Sequence, residues 1–232
     1  FGSHYAMDEV VASKVTDREG YLRATKYYFD CIIGPYKSFM RKALQRVKPL
    51  AVDMICPGHG PVLDQEIDWM LQTYEEWSAA RNPNPRPTVI IPYVSAYGYT
   101  GMLAQAIAEG VREALPEADC QVYDVNDYDM GMLQGLLNAS DAFAIGSPTI
   151  NQDAVAPIWN LLSHVDAIGN KKRPALVFGS YGWSGEAVPN ISARLTGLKS
   201  SVFGEGMKVT FVPSKEDLEK AKELGKAFAE SL

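Results

Sequence analysis

Cysteine is scarce in this 232-residue chain. Cys31, Cys56 and Cys120 are odd in number and widely spaced, which excludes a disulfide scaffold and points to a reducing, cytoplasmic compartment. No apolar run approaches the roughly 20 residues that a membrane helix needs, so no membrane association is expected. The first ten residues include His4, Asp8 and Glu9, and no signal peptide is expected there. A glycine fingerprint of the GxGxxG type and a GK[ST] phosphate loop are both missing, which argues against dinucleotide and nucleoside triphosphate sites. Basic stripes are missing too. There are 22 basic and 28 acidic residues, a net charge of −6. The imbalance is local: up to Arg86 there are 11 of each sign, and from Pro87 onward 11 basic against 17 acidic. An acidic half of this kind is a poor nucleic-acid binder but can steer toward a positively charged partner. What remains is 47% apolar and 22% charged, ordinary for a folded domain. The length, at roughly 150 residues per domain, suggests one domain plus an extra piece.

The chain divides at Arg81-Asn82-Pro83-Asn84-Pro85-Arg86-Pro87. Proline supplies no backbone donor and biases its predecessor away from helix, so residues 81–87 read as a linker between a unit of residues 1–80 and one of residues 88–232. Beyond it, strands are expected at 88–94, 120–125, 141–147, 174–180 and 207–213. Helices are expected at 100–115, 130–138, 153–165, 185–198 and about 214–231. The helix at 100–115 carries Leu103, Ile107, Val111 and Leu115 on one face. Ser214 and Asp217 have the spacing of a helix cap. Five apolar strands alternating with five helices predict an α/β fold, a doubly wound five-stranded parallel sheet covered on both faces. Ligands of such sheets bind at the carboxyl ends of the strands.

Three turns at those ends bear on one ligand. Ser95-Ala96-Tyr97-Gly98-Tyr99-Thr100 joins the first strand to a helix start. Its hydroxyls and backbone N–H groups suit an anion, although taken alone the turn would pass for an ordinary helix cap. Gly146-Ser147-Pro148-Thr149-Ile150-Asn151 follows the third strand and Gly179-Ser180-Tyr181-Gly182-Trp183-Ser184-Gly185 the fourth. Glycines there let backbone approach a ring edge, and Tyr181 or Trp183 can cover a ring face. One anion pocket beside two loops for a flat heterocycle describes a mononucleotide flavin. Asp124, at the end of the second strand, stands where dinucleotide folds place a ribose-binding acid, but without the glycines it reads as a turn residue.

From Thr88 to Leu232 the chain resembles a flavodoxin domain, and its GSPTIN and GSYGWSG segments resemble those of the flavodiiron proteins. The first eighty residues fit the same resemblance. Pro57-Gly58-His59-Gly60-Pro61 before a helix is similar to the close of the metallo-β-lactamase-like fold, Phe1-Gly2-Ser3-His4 to a stretch beside the iron site, and the aromatic helices of residues 18–50 to that domain's C-terminal segment. The resemblance therefore implies the carboxy-terminal part of a flavodiiron protein: a mostly helical remnant of the metallo-β-lactamase-like αββα domain, then a flavodoxin-like domain.

That resemblance implies an FMN whose phosphate rests on Ser95, Tyr97, Gly98, Tyr99 and Thr100. Ser147, Pro148, Thr149, Ile150 and Asn151 would flank one side of the ring system, and Ser180, Tyr181, Gly182, Trp183 and Gly185 the other. His59 is the one position that matches an iron ligand, with His4 near it. The remaining ligands of a diiron centre have no counterpart in this chain, and Asp8, Glu9 and Asp53 lack the spacing to replace them. His164 reads as structural. The implied activity is that of a flavodiiron oxidoreductase reducing dioxygen to water or nitric oxide to nitrous oxide. Its implied partners are a redox donor such as rubredoxin and a second copy, in a head-to-tail dimer or larger assembly, or the remaining part of the first domain. No catalytic side chain is expected in this chain. A stand-alone flavodoxin-like electron carrier is the alternative, and a hydrolase fragment with an inert second domain is a third reading.

The segment before the linker carries Tyr27, Tyr28, Phe29, Ile32, Ile33, Phe39 and Met40. These are expected to form apolar faces that pack against something beyond the eighty residues themselves.

Overall fold

A computed structural model describes residues 1–5, 9–79 and 84–232. Of the segment expected to be a linker, residues 81–83 lie outside the described residues, as does Asp8. The chain forms two compact units, Phe1–Asn82 and Pro83–Leu232.

Among its described residues the first unit is built chiefly from three helices. α1 (Arg18–Tyr28) starts where the Asp17 side chain accepts the Gly20 N–H, as an acidic cap at a positive helix end should. A wide turn of helix, Phe29–Ile33, and a tight one, Gly34–Tyr36, lead past Pro35 into α2 (Lys37–Val47). α3 (Ile67–Ser78) follows. The apolar stretch before His59, which reads as a strand entering a loop, makes one ladder pair, Ile55 with Leu63. At the centre stands Tyr74, with no exposed surface. Its ring meets Phe1, Phe29 and Trp77. Its hydroxyl accepts the Gly2 N–H and donates to the Gly2 carbonyl, both at 3.2 Å.

The second unit is an open sheet. β1 (Thr88–Tyr93) lies between β2 (Asp119–Asp124) and β3 (Ala142–Ile150). β5 (Pro174–Tyr181) lies beyond β3. The outermost position is shared by β6 (Ser201–Val202), which pairs with the start of β5, and β7 (Met207–Thr210), which pairs with its end. All these pairings are parallel. The two-residue β4 (Asp153–Ala154) is the exception and runs antiparallel to the end of β3. Thus the five expected positions are present, built among the described residues from seven strands. The fifth expected strand, 207–213, is present only as Met207–Thr210, and β6 is a short strand that the sequence reading did not expect; between the two, Gly204 and Gly206 take positive φ.

Side chains alternate across the sheet. Ala142 and Ala144 of β3, with Leu176 and Phe178 of β5, face α4 (Tyr99–Ala114) and α8 (Lys215–Glu230). Phe143 and Ile145, with Ala175 and Val177, face α5 (Met130–Ala139), α6 (Ala156–Ser163) and α7 (Ala187–Gly197). Both faces are covered, which is why these strands read as unbroken apolar runs.

Two further boundaries move by three residues. Strand three continues through Ser147, Pro148, Thr149 and Ile150 instead of turning after Ser147, because β4 pairs with its end (Thr149 with Ala154, Ile150 with Asp153). The turn is Asn151-Gln152, both at positive φ (55° and 61°), the two-residue hairpin geometry that matches strand twist. Accordingly the next helix starts at Ala156 and not at Asp153.

Candidate functional site

The strand order, β2-β1-β3-β5 and then β6/β7, reverses direction at β1, and its carboxyl edge is where a ligand is expected. There the N-cap of α4 is Gly98, with φ 84° and no side-chain cap. A Cβ added at Gly98 would meet nothing within 4 Å, so open space lies in front of the helix start. The first N–H groups of a helix have no intrahelical acceptor, and the helix dipole adds partial positive charge. The Gly101 N–H reaches Ser95 Oγ only at 3.4 Å. No lysine or arginine occurs between Ser95 and Thr100, so an anion here would be held by neutral donors.

Beside this helix start opens a cleft. Tyr97 and Tyr99 from the first turn, Pro148, Thr149 and Ile150 from β3, and Ser180, Tyr181 and Gly182 from β5 and its turn line it. Segments far apart in sequence thus meet around one apolar cavity with a polar end. Tyr97 is 82% exposed and its ring lies 6.0 Å from that of Tyr99.

The other expected residues lie around the cleft rather than on its wall. Thr100 is wholly buried, and its Oγ1 is 2.8 Å from Ser180 Oγ, which ties the first turn to the third. Ser147 is buried as well; its hydroxyl donates to the Pro148 carbonyl and accepts the Val155 N–H. Asn151 sits in the hairpin turn. Gly185 is buried with φ 77°. Trp183 is 96% exposed and is not among the lining residues.

Two lining residues escaped the sequence reading: Ala96, inside the first turn, and Phe211. Phe211 falls within the expected fifth strand, where an aromatic residue carries no signal of its own. It lies just past the end of β7, and its N–H donates to the Tyr181 carbonyl at 2.8 Å.

In the first unit His59 is exposed. Its carbonyl accepts the Ser3 N–H at 3.1 Å, and its ring and that of His4 both lie against Tyr28, at 5.9 and 4.9 Å. Among the described residues no three His, Cys, Asp or Glu side chains converge as metal ligands would. Two imidazoles do not make a diiron centre, so the residues of this chain do not fit one by themselves. The open helix start and the aromatic cleft, by contrast, fit a phosphate joined to a flat ring. His164 closes α6, with Nδ1 within hydrogen-bond distance of Ser163 Oγ and the Asn160 carbonyl. Asp124 accepts the Asn126 N–H, the turn role expected of it.

Such a sheet, with an uncapped helix start and an aromatic cleft at its carboxyl edge, defines a mononucleotide flavoprotein. The flavodoxin family model matches residues 91–225, and the chain belongs to that family, whose cofactor is FMN. It is also similar along its whole length to flavodiiron proteins, which are flavoprotein oxidoreductases. It is 39% identical to flavo-diiron protein FprA2 of Clostridium acetobutylicum over 233 residues, covering all of this chain and 58% of that one. The crystal structure of the flavodiiron protein from Giardia intestinalis superposes with a TM-score of 0.64 at 28% identity, over 99% of this chain and 56% of that one. The structure of an archaeal flavodoxin matches 62% of this chain and 97% of its own length, with a TM-score of 0.55 at 28% identity. The chain thus spans a little over half the length of the flavodiiron relatives it matches and nearly all of a flavodoxin.

Proposed function

We propose that the chain is the FMN-bearing electron-transfer part of a flavodiiron oxidoreductase. The observation that carries this is the meeting of an open helix start and an aromatic cleft at the carboxyl ends of β1, β3 and β5. FMN, when bound, supplies one- and two-electron redox chemistry. The protein's own residues bind, orient and shield. Ser95, Tyr97, Gly98, Tyr99 and Thr100 hold the phosphate. Ser147, Pro148, Thr149, Ile150 and Asn151 bound one side of the ring, and Ser180, Tyr181, Gly182, Trp183 and Gly185 the other. No side chain of this chain is required to move a proton during electron transfer.

In the complete protein, reduction of dioxygen to water or of nitric oxide to nitrous oxide belongs to an iron centre built chiefly from residues outside this chain, with His59 as one contributed ligand. The donor is a small redox protein such as rubredoxin. A second copy, head to tail, brings each flavin near the other copy's metal domain.

A stand-alone electron carrier is the second reading, favoured by the near-complete coverage of an archaeal flavodoxin. Iron content and donor-driven oxygen or nitric oxide consumption, measured on the longest natural form of the protein, separate the two. Iron with turnover supports the first reading. Reversible flavin reduction with neither supports the second.

A further inference from the structure

Phe211 has φ 55°. The left-handed region is unfavourable for a bulky residue, and a side chain held there is a reason to look for function. The surroundings fix it. Its N–H is tied to the Tyr181 carbonyl, which extends the ladder of β5 and β7 by one bond past the pair Tyr181–Thr210. Its ring packs over Gly182, where an added Cβ would stand 3.0 Å from a ring carbon. Yet Phe211 remains 60% exposed, and the exposed part of the ring lines the cleft. A core role would bury the ring, and a turn role would favour glycine or asparagine at this backbone angle. The residue that is present gives up backbone comfort and part of its burial to put an aromatic face at the cleft.

We infer that Phe211 is a cofactor-contacting residue that packs its ring against the flavin ring system at the Tyr181–Gly182 end of the cleft. This rests on the FMN reading of the site. It adds a fourth segment, the end of β7, to the three turns.

The test measures FMN affinity and melting temperature for four forms of the full chain: unsubstituted, Phe211→Gly, Phe211→Ala and Phe211→Trp. Glycine tolerates the backbone angle and alanine does not, so the Gly form should melt about 2–4 °C above the Ala form. Affinity should follow the ring instead. The Gly and Ala forms should both bind FMN about five- to tenfold more weakly, while the Trp form keeps its affinity and quenches flavin fluorescence further. Affinities that track melting temperature, with Gly near the unsubstituted chain and Ala the weakest, would mean a structural residue and overturn the inference. So would equal affinities throughout. No FMN uptake by the unsubstituted chain would instead overturn the reading of the site itself, and this inference with it.

Discussion

Thr100 has its hydroxyl 2.8 Å from Ser180 and no exposed surface. A hydroxyl has one proton and two acceptor positions. If Ser180 donates to Thr100, the Thr100 proton is free to point at an anion before the helix. Thr100→Ala removes both that donor and the acceptor of a buried partner, a loss of about 1.5–3 kcal/mol for a charge-assisted bond. FMN affinity measured by fluorescence titration should therefore fall at least tenfold, with Thr100→Ser close to the unsubstituted chain. Unchanged affinity in the Ala form would mean that the hydroxyl only braces two loops. Much of the site was readable at this scale. Hydroxyls, glycines and aromatics at strand ends have few other uses together, and eight of the expected residues line the cleft. Phe211 was not readable, because its backbone angle follows from a ladder bond to a residue thirty positions away. Burial was misread at Tyr28 and Phe29, expected on an open apolar face but buried against their own unit. Spacing along a helix does not say which face the rest of the chain will cover.

Helices α4 and α8 approach closely because each offers a glycine. A Cβ at Gly110 would lie 2.0 Å from the Lys222 carbonyl oxygen, and one at Gly225 2.2 Å from that of Ile107. Alanine at either position must push backbone apart, and overpacking of this kind costs about 1–3 kcal/mol or more. Gly225→Ala should lower the urea midpoint of the second unit. A neutral result would contradict this packing. The end of α8 nearest the sheet was legible from sequence. Ser214 and Asp217 form the reciprocal cap that their spacing announced, since capping depends only on residues three apart. The Asn151-Gln152 hairpin was not legible, because Pro148 and the small residues around it resemble a turn and the strand that pairs with them is two residues long. In the first unit, burial pushes the Tyr74 hydroxyl up to about 12, against about 10 in an unfolded chain. Below pH 10 both states keep the proton and the contribution to stability is complete. As pH rises toward 12 only the unfolded state ionises, and on the order of 2 kcal/mol is lost. Near-ultraviolet circular dichroism of urea unfolding between pH 9 and 11.5 should record this decline. Tyr74→Phe should make it shallower, and an identical slope in that variant would contradict the assignment.

Tyr27, Ile32, Tyr36, Phe39, Leu50 and Met54 of the first unit are all exposed, and soluble monomers seldom display such patches. Sedimentation velocity of the purified chain should give a dimer, a larger species, or a complex with a partner chain. A monomer whose first unit stays folded without a partner would contradict that expectation. Among the described residues no helix is long and apolar enough to cross a membrane. The central claim, that this chain is an FMN flavoprotein, is tested most directly by mass spectrometry and absorption of the cofactor released from the purified chain after reconstitution with mixed flavins. The account predicts FMN at one per chain. An adenine-containing flavin, or no flavin at all, would contradict it.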